Sequence, residues 1–296
     1  MIHAKGSTGR VAHAAMSDEQ AVDLLRNAVA TASLSGEEGR VAQLLVEAAR
    51  ASPSSAFIDA AGNAVATWGS GSKSIVFLGH MDTAPGSVPV RVKDGVLHGR
   101  GAVDAKGSLC AALAAATRVP GHAWERIAFT FIGAVEEKAP SSRGARHAVA
   151  TYPAPDLLIV GEPSGWERYT LGYKGRLGVE LRAQRGAAHS AREDASAAEL
   201  AVDAYTRLKE WVQRDNDGVD GLFERLQVTL LRLDSGNNGL EEWCNARISL
   251  RVPPRWACAE LKWAVAELLP DVRLEFTEGL GAHRSDARNE LARAFR

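Results

Sequence analysis

Short apolar runs that close on glycine or an acidic residue recur through the first half of the chain, separated by segments with helical spacing. Ile75, Val76, Phe77 and Leu78 run without interruption into Gly79, the pattern of a short buried strand in a parallel sheet. Residues 127–133 and 156–160 repeat it. Residues 108–118 form an alanine-rich helical segment, and Gly107 before it lets a loop approach closely. Upstream, Ser17 and Gln20 make an N-cap and its capping-box partner ahead of a helical segment at 21–32. Ser35, Gly36, Glu37 and Glu38 open a second helix at 41–51, with Leu44, Leu45, Val46 and Ala49 offered to a core. Residues 56–68 predict a strand pair that turns at Ala61, Gly62 and Asn63. This alternation through residue 162 predicts an α/β domain built on a mostly parallel sheet covered on both faces.

The pattern changes near Tyr169. Residues 168–184 alternate like a half-exposed strand, 195–212 have helical spacing, and 227–233 and 244–252 are strand-like. A helix at 256–269 and a strand at 272–277 follow. That βαββαβ order is the ferredoxin-like arrangement. Residues 215–218 and 234–239 carry turn signals, and 285–295 predict a last helix.

Composition narrows the function classes. A chain of 296 residues with 46% hydrophobic content can bury one or two cores. The formal net charge is −1 with no long run of one sign, which argues against nucleic acid or an anionic membrane as partner. No stretch approaches the roughly 18 apolar residues of a membrane span. The first ten residues lack the apolar core of a secretory signal, and residues 1–16 are expected to be a disordered extension. Cys110, Cys244 and Cys258 have neither disulfide nor metal spacing, which fits reduced thiols in a cytoplasmic protein.

The chemistry lies where the predicted strands end. His80 and Asp82 follow the first apolar run, where open α/β sheets place their ligands. A His at that point can bind a metal through one ring nitrogen while a nearby acid fixes the tautomer. Asp104 lies in a glycine-rich segment at 99–107, Glu136 and Glu137 follow the second run, and Glu162 follows the third. Solvated acids capping helices would explain any one of these carboxylates. Their repetition at matching strand ends favours a divalent-metal site.

The segments 79–83, 99–107, 135–137 and 161–163 together resemble the metal-site motifs of the di-zinc amidohydrolase and aminopeptidase family that includes acetylornithine deacetylase and succinyl-diaminopimelate desuccinylase. Residues 135–146, 161–166 and 171–176 are similar to the branch that releases lysine or ornithine from an amino-group carrier protein. The resemblance implies a cytoplasmic zinc hydrolase of lysine or arginine biosynthesis, with two Zn²⁺ per subunit and Co²⁺ as a possible substitute. It assigns His80, Asp104, Glu137 and Glu162 as metal ligands, Asp104 bridging. Asp82 would orient His80, and Glu136 would be the general base. His189 would stabilise the oxyanion across a homodimer formed through the lid; Asn245 and Arg251 would contact substrate. The implied partner is a small acidic carrier protein, toward which Lys174, Arg176, Arg182 and Arg185 would present a basic rim. The expected organisation is a catalytic metal-binding part at 17–168, a lid and dimerisation domain at 169–278, and a return to the catalytic domain at 279–296.

Family members extend further and supply a last His to the second zinc. Ending at Arg296, the chain is expected to lack the final strands and that ligand, since His98, His122, His147 and His283 match no ligand position. Two alternatives stay open: an N-acyl-amino-acid deacylase or dipeptidase of the same family, and an inactive, truncated dimerising remnant.

Overall fold

The computed structural model describes residues 15–52, 54–187 and 194–296, and the chain divides into two compact units, Met1–Trp166 and Glu167–Arg296. His189 therefore lies outside the described residues, as does most of the expected N-terminal extension.

The first unit begins with α1 (Asp18–Ala30), whose capping box between Ser17 and Gln20 forms as the sequence predicts. Just before it, the Met16 N–H donates to Thr117 Oγ1 at 3.2 Å. Next come α2 (Gly39–Arg50), β1 (Ser55–Ile58), β2 (Ala64–Trp68), β3 (Lys73–His80), β4 (Arg91–Lys93), β5 (Val96–His98) and α3 (Lys106–Arg118). The unit closes with β6 (Ile127–Ala134), α4 (Arg143–Thr151) and β7 (Leu157–Val160).

The five-stranded sheet has the order β1-β2-β6-β3-β7. β3 pairs in parallel with β6 and β7, whereas β1–β2 and β2–β6 are antiparallel, so the sheet is mixed rather than mostly parallel. The cause is local. Asp59 Oδ1 accepts the N–H groups of Ala61 and Asn63, both at 2.9 Å, and this tight turn reverses the chain. A parallel pairing would need a crossover of a dozen or more residues. Leu24, Val41, Leu45, Trp68, Phe77, Met81, Leu109, Leu113 and Phe131 belong to one buried cluster shared by helices and sheet. Covering is incomplete at the edge strand β7, where Leu158 and Val160 are 47% and 43% exposed.

Asn63 ties this sheet to the loop after β6. Its side chain is buried; Oδ1 accepts the Val135 N–H at 3.0 Å, and Nδ2 donates to Asp59 Oδ2 and to the Gly144 carbonyl. Asn63→Ala is expected to lower the unfolding free energy by about 1–3 kcal/mol through the orphaned Val135 N–H alone. Chemical denaturation measures it, and an unchanged midpoint would remove Asn63 as the tie.

The second unit contains β8 (Gly172–Tyr173), β9 (Gly175–Gly186), α5 (Ala197–Asp215), β10 (Gln227–Asn237), β11 (Glu241–Val252), α6 (Cys258–Leu268), β12 (Arg273–Phe276), β13 (His283–Arg284) and α7 (Glu290–Ala294). Its four-stranded sheet, ordered β10-β11-β9-β12, is antiparallel throughout. Alternate residues of β9 and β11 (Leu177, Val179, Leu181, Ile248, Leu250) join Leu208 of α5 and Leu261 of α6 in a second buried cluster. Arg176, Arg182, Arg247 and Arg251, at intervening positions, are exposed, as period-two alternation requires. Residues 234–237, expected as loop, continue β10 because they pair with Glu242–Asn245 of β11. The last helix is shorter than its sequence pattern, with Asn289 as its N-cap. Residues 279–296 fall within this second unit, where β13 pairs with β8. Among the described residues, no helix is long and apolar enough to cross a membrane, and the three cysteines are unbridged.

Candidate metal centre

Three parallel strands deliver the centre. In the β3–β6–β7 register, His80 lies opposite Ala134 and Leu78 opposite Val160, so the three C-terminal ends are aligned. The loops that follow carry Asp82, then Glu136 and Glu137, then Glu162, along one edge of the sheet. Asp104 arrives from the loop before α3. Gly161 is fixed by close approach: a Cβ there would sit 2.5 Å from Phe77 Cζ, so only glycine lets the chain pass over β3 toward Glu162. Gly107 allows the approach its sequence position suggests, since a Cβ would meet the Ala102 carbonyl oxygen at 2.6 Å. Lys106 anchors the same loop from beneath. Its buried ammonium donates to the Ala28 and Thr31 carbonyls at the end of α1, and burial lowers its pKa to about 8.

His80 is 1% exposed and forms the middle of the group. Its Nδ1 lies 2.9 Å from the Asp82 carbonyl oxygen and 3.2 Å from Asp82 Oδ1, which directs Nε2 toward the other carboxylates. Nε2 is 2.9 Å from Asp104 Oδ1, 3.7 Å from Glu162 Oε1 and 3.8 Å from Glu137 Oε2. Burial opposes charge on the imidazole, but the Asp82 bond and the Glu137 and Glu162 carboxylates outweigh it and raise its pKa. Asp82 is fully buried. Desolvation works against its charge, yet His80, the Ser35 hydroxyl and the Lys138 N–H together lower its pKa to about 2. Burial also opposes charge on Asp104, but the Lys138 ammonium and His80 hold its pKa below the usual carboxylate value. Burial raises that of Glu162, with Glu137 and Asp104 adding to the effect.

This donor set fits a divalent cation. Among the described residues, His80, Asp104 and Glu162 form one group whose ligand atoms all lie within 4.8 Å of each other, and His80, Asp82 and Glu137 form a second. One imidazole with several carboxylates is a borderline-to-hard set suited to zinc or a first-row relative. Four acids gathered on one buried imidazole have a clear reason to be together when a cation is shared between them.

Glu136 belongs to neither group. Its backbone is in the left-handed region, with φ of 56°. Its Oε1 pairs with Arg143 Nε at 2.9 Å, and its Oε2 accepts the Ser141 hydroxyl at 2.6 Å. The adjacent Glu residues thus diverge, one toward His80 and one away. Asn245 and Arg251 lie on the open face of β11 in the second unit. Asn245 pairs in register with Arg182 and Asp234, and Arg251 with Arg176 and Gln227.

Three supporting residues escaped sequence reasoning. Ser35 and Glu38 look like a helix start, yet the N-terminus of α2 has no side-chain cap. Ser35 Oγ instead donates to Asp82 Oδ2 at 2.7 Å. Glu38, 2% exposed, accepts the Gly36 and Glu136 N–H groups at 3.0 and 2.9 Å. The only sequence signal was the Ser-x-x-Glu spacing, which also marks capping boxes. The third is Lys138, whose Nζ donates to both Asp104 carboxylate oxygens at 2.9 Å.

The fold and the motifs have counterparts among known proteins. The chain is 44% identical over 286 residues to a LysW-lysine hydrolase of Deinococcus radiodurans, covering 94% of this chain and 79% of that one. A relative from Thermococcus kodakarensis, named provisionally as a LysW-lysine/LysW-ornithine hydrolase, is 32% identical over 281 residues, covering 95% and 73%. An M20 family metallo-carboxypeptidase from Sulfolobus solfataricus superposes with a TM-score of 0.71 at 14% identity, over 93% of this chain and 82% of that one. The model of peptidase family M20/M25/M40 matches residues 76–232, a span that takes in the whole group around His80 and the antiparallel sheet as far as β10. By sequence and by fold alike, the chain belongs to peptidase family M20/M25/M40.

Proposed function

We propose that this chain is a metal-dependent amide hydrolase that frees lysine or ornithine from a small amino-group carrier protein. The carrying observation is the convergence of Asp104, Glu137 and Glu162 on the buried Nε2 of His80. The substrate class rests on the names of the relatives from Deinococcus radiodurans and Thermococcus kodakarensis. Zn²⁺ is the ion we assign, with Co²⁺ as a substitute; His80, Asp104 and Glu162 would hold it, and Asp104 and Glu137 would hold a second. When bound, such an ion supplies Lewis-acid polarisation of the scissile carbonyl and a water nucleophile at neutral pH. Asp82 keeps the His80 ring in the ligating orientation. Glu136 takes the proton from the attacking water and returns it to the leaving amine.

The second unit, with its ferredoxin-like element order, serves in this reading as an inserted lid and dimerisation domain. His189 supplies an oxyanion contact across the dimer, Asn245 completes that pocket, and Arg251 holds the substrate carboxylate. Support for the last role comes from the β9–β11 register, which sets Arg251 directly opposite Arg176. Two guanidinium groups facing across a strand pair repel each other, and an anion between them relieves this.

The test is release of lysine or ornithine from the carrier conjugate, followed by mass spectrometry. A chain that cleaves N-acetyl-lysine or dipeptides but leaves the conjugate intact is the deacylase or dipeptidase alternative. The partner is expected to be acidic and to be steered by the rim of Arg176, Arg182 and Arg185. Lys174 contributes less, because its ammonium is already committed to the Arg225 carbonyl and Gln227 Oε1. Conjugate hydrolysis should therefore slow as salt rises, while hydrolysis of free N-acetyl-lysine barely changes. Equal salt responses for the two substrates exclude steering through this rim.

A further inference from the structure

The side chain of Lys138 lies inside the candidate metal centre. Its backbone N–H, like that of Glu137, donates to the buried Asp82 carboxylate, at 2.8 and 3.1 Å. This pins the lysine stem at the mouth of the centre. From there Nζ reaches both oxygens of Asp104 at 2.9 Å and Glu137 Oε2 at 3.2 Å. His80 Nε2 meets Asp104 through Oδ1 at 2.9 Å and stands 3.8 Å from Glu137 Oε2, so Asp104 and Glu137 are the carboxylates that Lys138 bridges. In the reading above, those are the two carboxylates that would hold a second ion. The side chain is only 26% exposed, so its charge is less screened than that of a solvated lysine.

We propose that the Lys138 ammonium is a built-in substitute for the second metal ion, so that the centre holds one ion tightly at His80, Asp104 and Glu162 and admits a second only by displacing Lys138. The proposal rests on the metal-centre reading above and deepens it. A divalent ion and an ammonium compete for the same two carboxylates and repel each other at that separation. A tethered cation cannot diffuse away, so its effective concentration at the site stays high. The second ion bears most of the cost, because Lys138 occupies both of its carboxylates, whereas the first ion shares only Asp104 with it.

The experiment titrates Zn²⁺, and separately Co²⁺, into the chelator-treated full chain and into Lys138→Met and Lys138→Arg, by calorimetry and by the Co²⁺ absorption spectrum. Methionine keeps an unbranched stem, one atom shorter, and removes the charge; arginine keeps the charge. The wild-type chain is expected to bind one ion at least tenfold more tightly than a second. Lys138→Met should tighten the second ion at least tenfold and the first by clearly less, while Lys138→Arg should follow the wild type. Two ions bound with the same stepwise affinities in wild type and Lys138→Met would overturn the proposal and leave the metal centre standing. Failure of all three proteins to bind any ion would overturn both. A tightened second ion in a chain that does not cleave the carrier conjugate would uphold the role of Lys138 and remove the proposed substrate instead.

Discussion

His80→Ala is expected to strip bound divalent metal from the folded chain. The imidazole is the one nitrogen donor common to both groups of candidate ligands, and its Nε2 has carboxylate oxygens from three separate loops within 4 Å. Without it, Asp104, Glu137 and Glu162 face one another with Lys138 as their compensating charge, and an ion gains no nitrogen ligand. Loss of a partner that only orients a ligand weakens metal binding by about 10–100-fold, and loss of the ligand itself should exceed that. Metal content after dialysis, by mass analysis, measures the effect, with circular dichroism confirming the fold. A folded His80→Ala chain with undiminished metal would place the ion elsewhere.

Glu136→Ala should do the opposite: keep the metal and lose turnover by about 10²–10⁴-fold, the usual contribution of a positioned general base. Its carboxylate is outside both ligand groups and is held by Arg143 and Ser141. Its backbone is held separately, by the buried Glu38 carboxylate. Truncation at Cβ therefore removes the proton carrier while the loop keeps its path. Loss of metal along with activity would make Glu136 a ligand and end the division of roles with Glu137.

The parts of the centre visible in the sequence are those fixed by strand ends. An apolar run that stops at His80, and others that stop just short of Glu136 and Glu162, announce their placement because a strand's exit is a local property of the chain. The mixed sheet was less legible. The β1–β2 hairpin, turned at Asp59, is the strand pair expected at 56–68, but the antiparallel β2–β6 pairing joins strands distant in sequence, where alternation of strand and helix suggested a mostly parallel sheet. Helix α4 was missed because it is short and follows a turn rich in polar residues, and its N-cap, Ser142, is in a left-handed conformation and makes no side-chain cap bond. The supporting contacts of Ser35, Glu38 and Lys138 are set by tertiary proximity. Ser35 meets Asp82 across 47 positions and Glu38 meets Glu136 across 98, distances at which no local pattern carries information.

Asp82 constrains its own position through donor and acceptor polarity. Around its two oxygens stand the Ser35 hydroxyl, the Glu137 and Lys138 amides and the His80 ring, every one of them offering hydrogen. An ionised carboxylate accepts only, and its two oxygens have room for all four. Asparagine has nearly the same shape, yet its amide would aim two further hydrogens into that ring of donors. Glutamate would accept correctly but adds a methylene where nothing is exposed. The position is thus closed to its nearest isostere by hydrogen-bond sense and to its homologue by volume, although Asp82 need never touch the substrate.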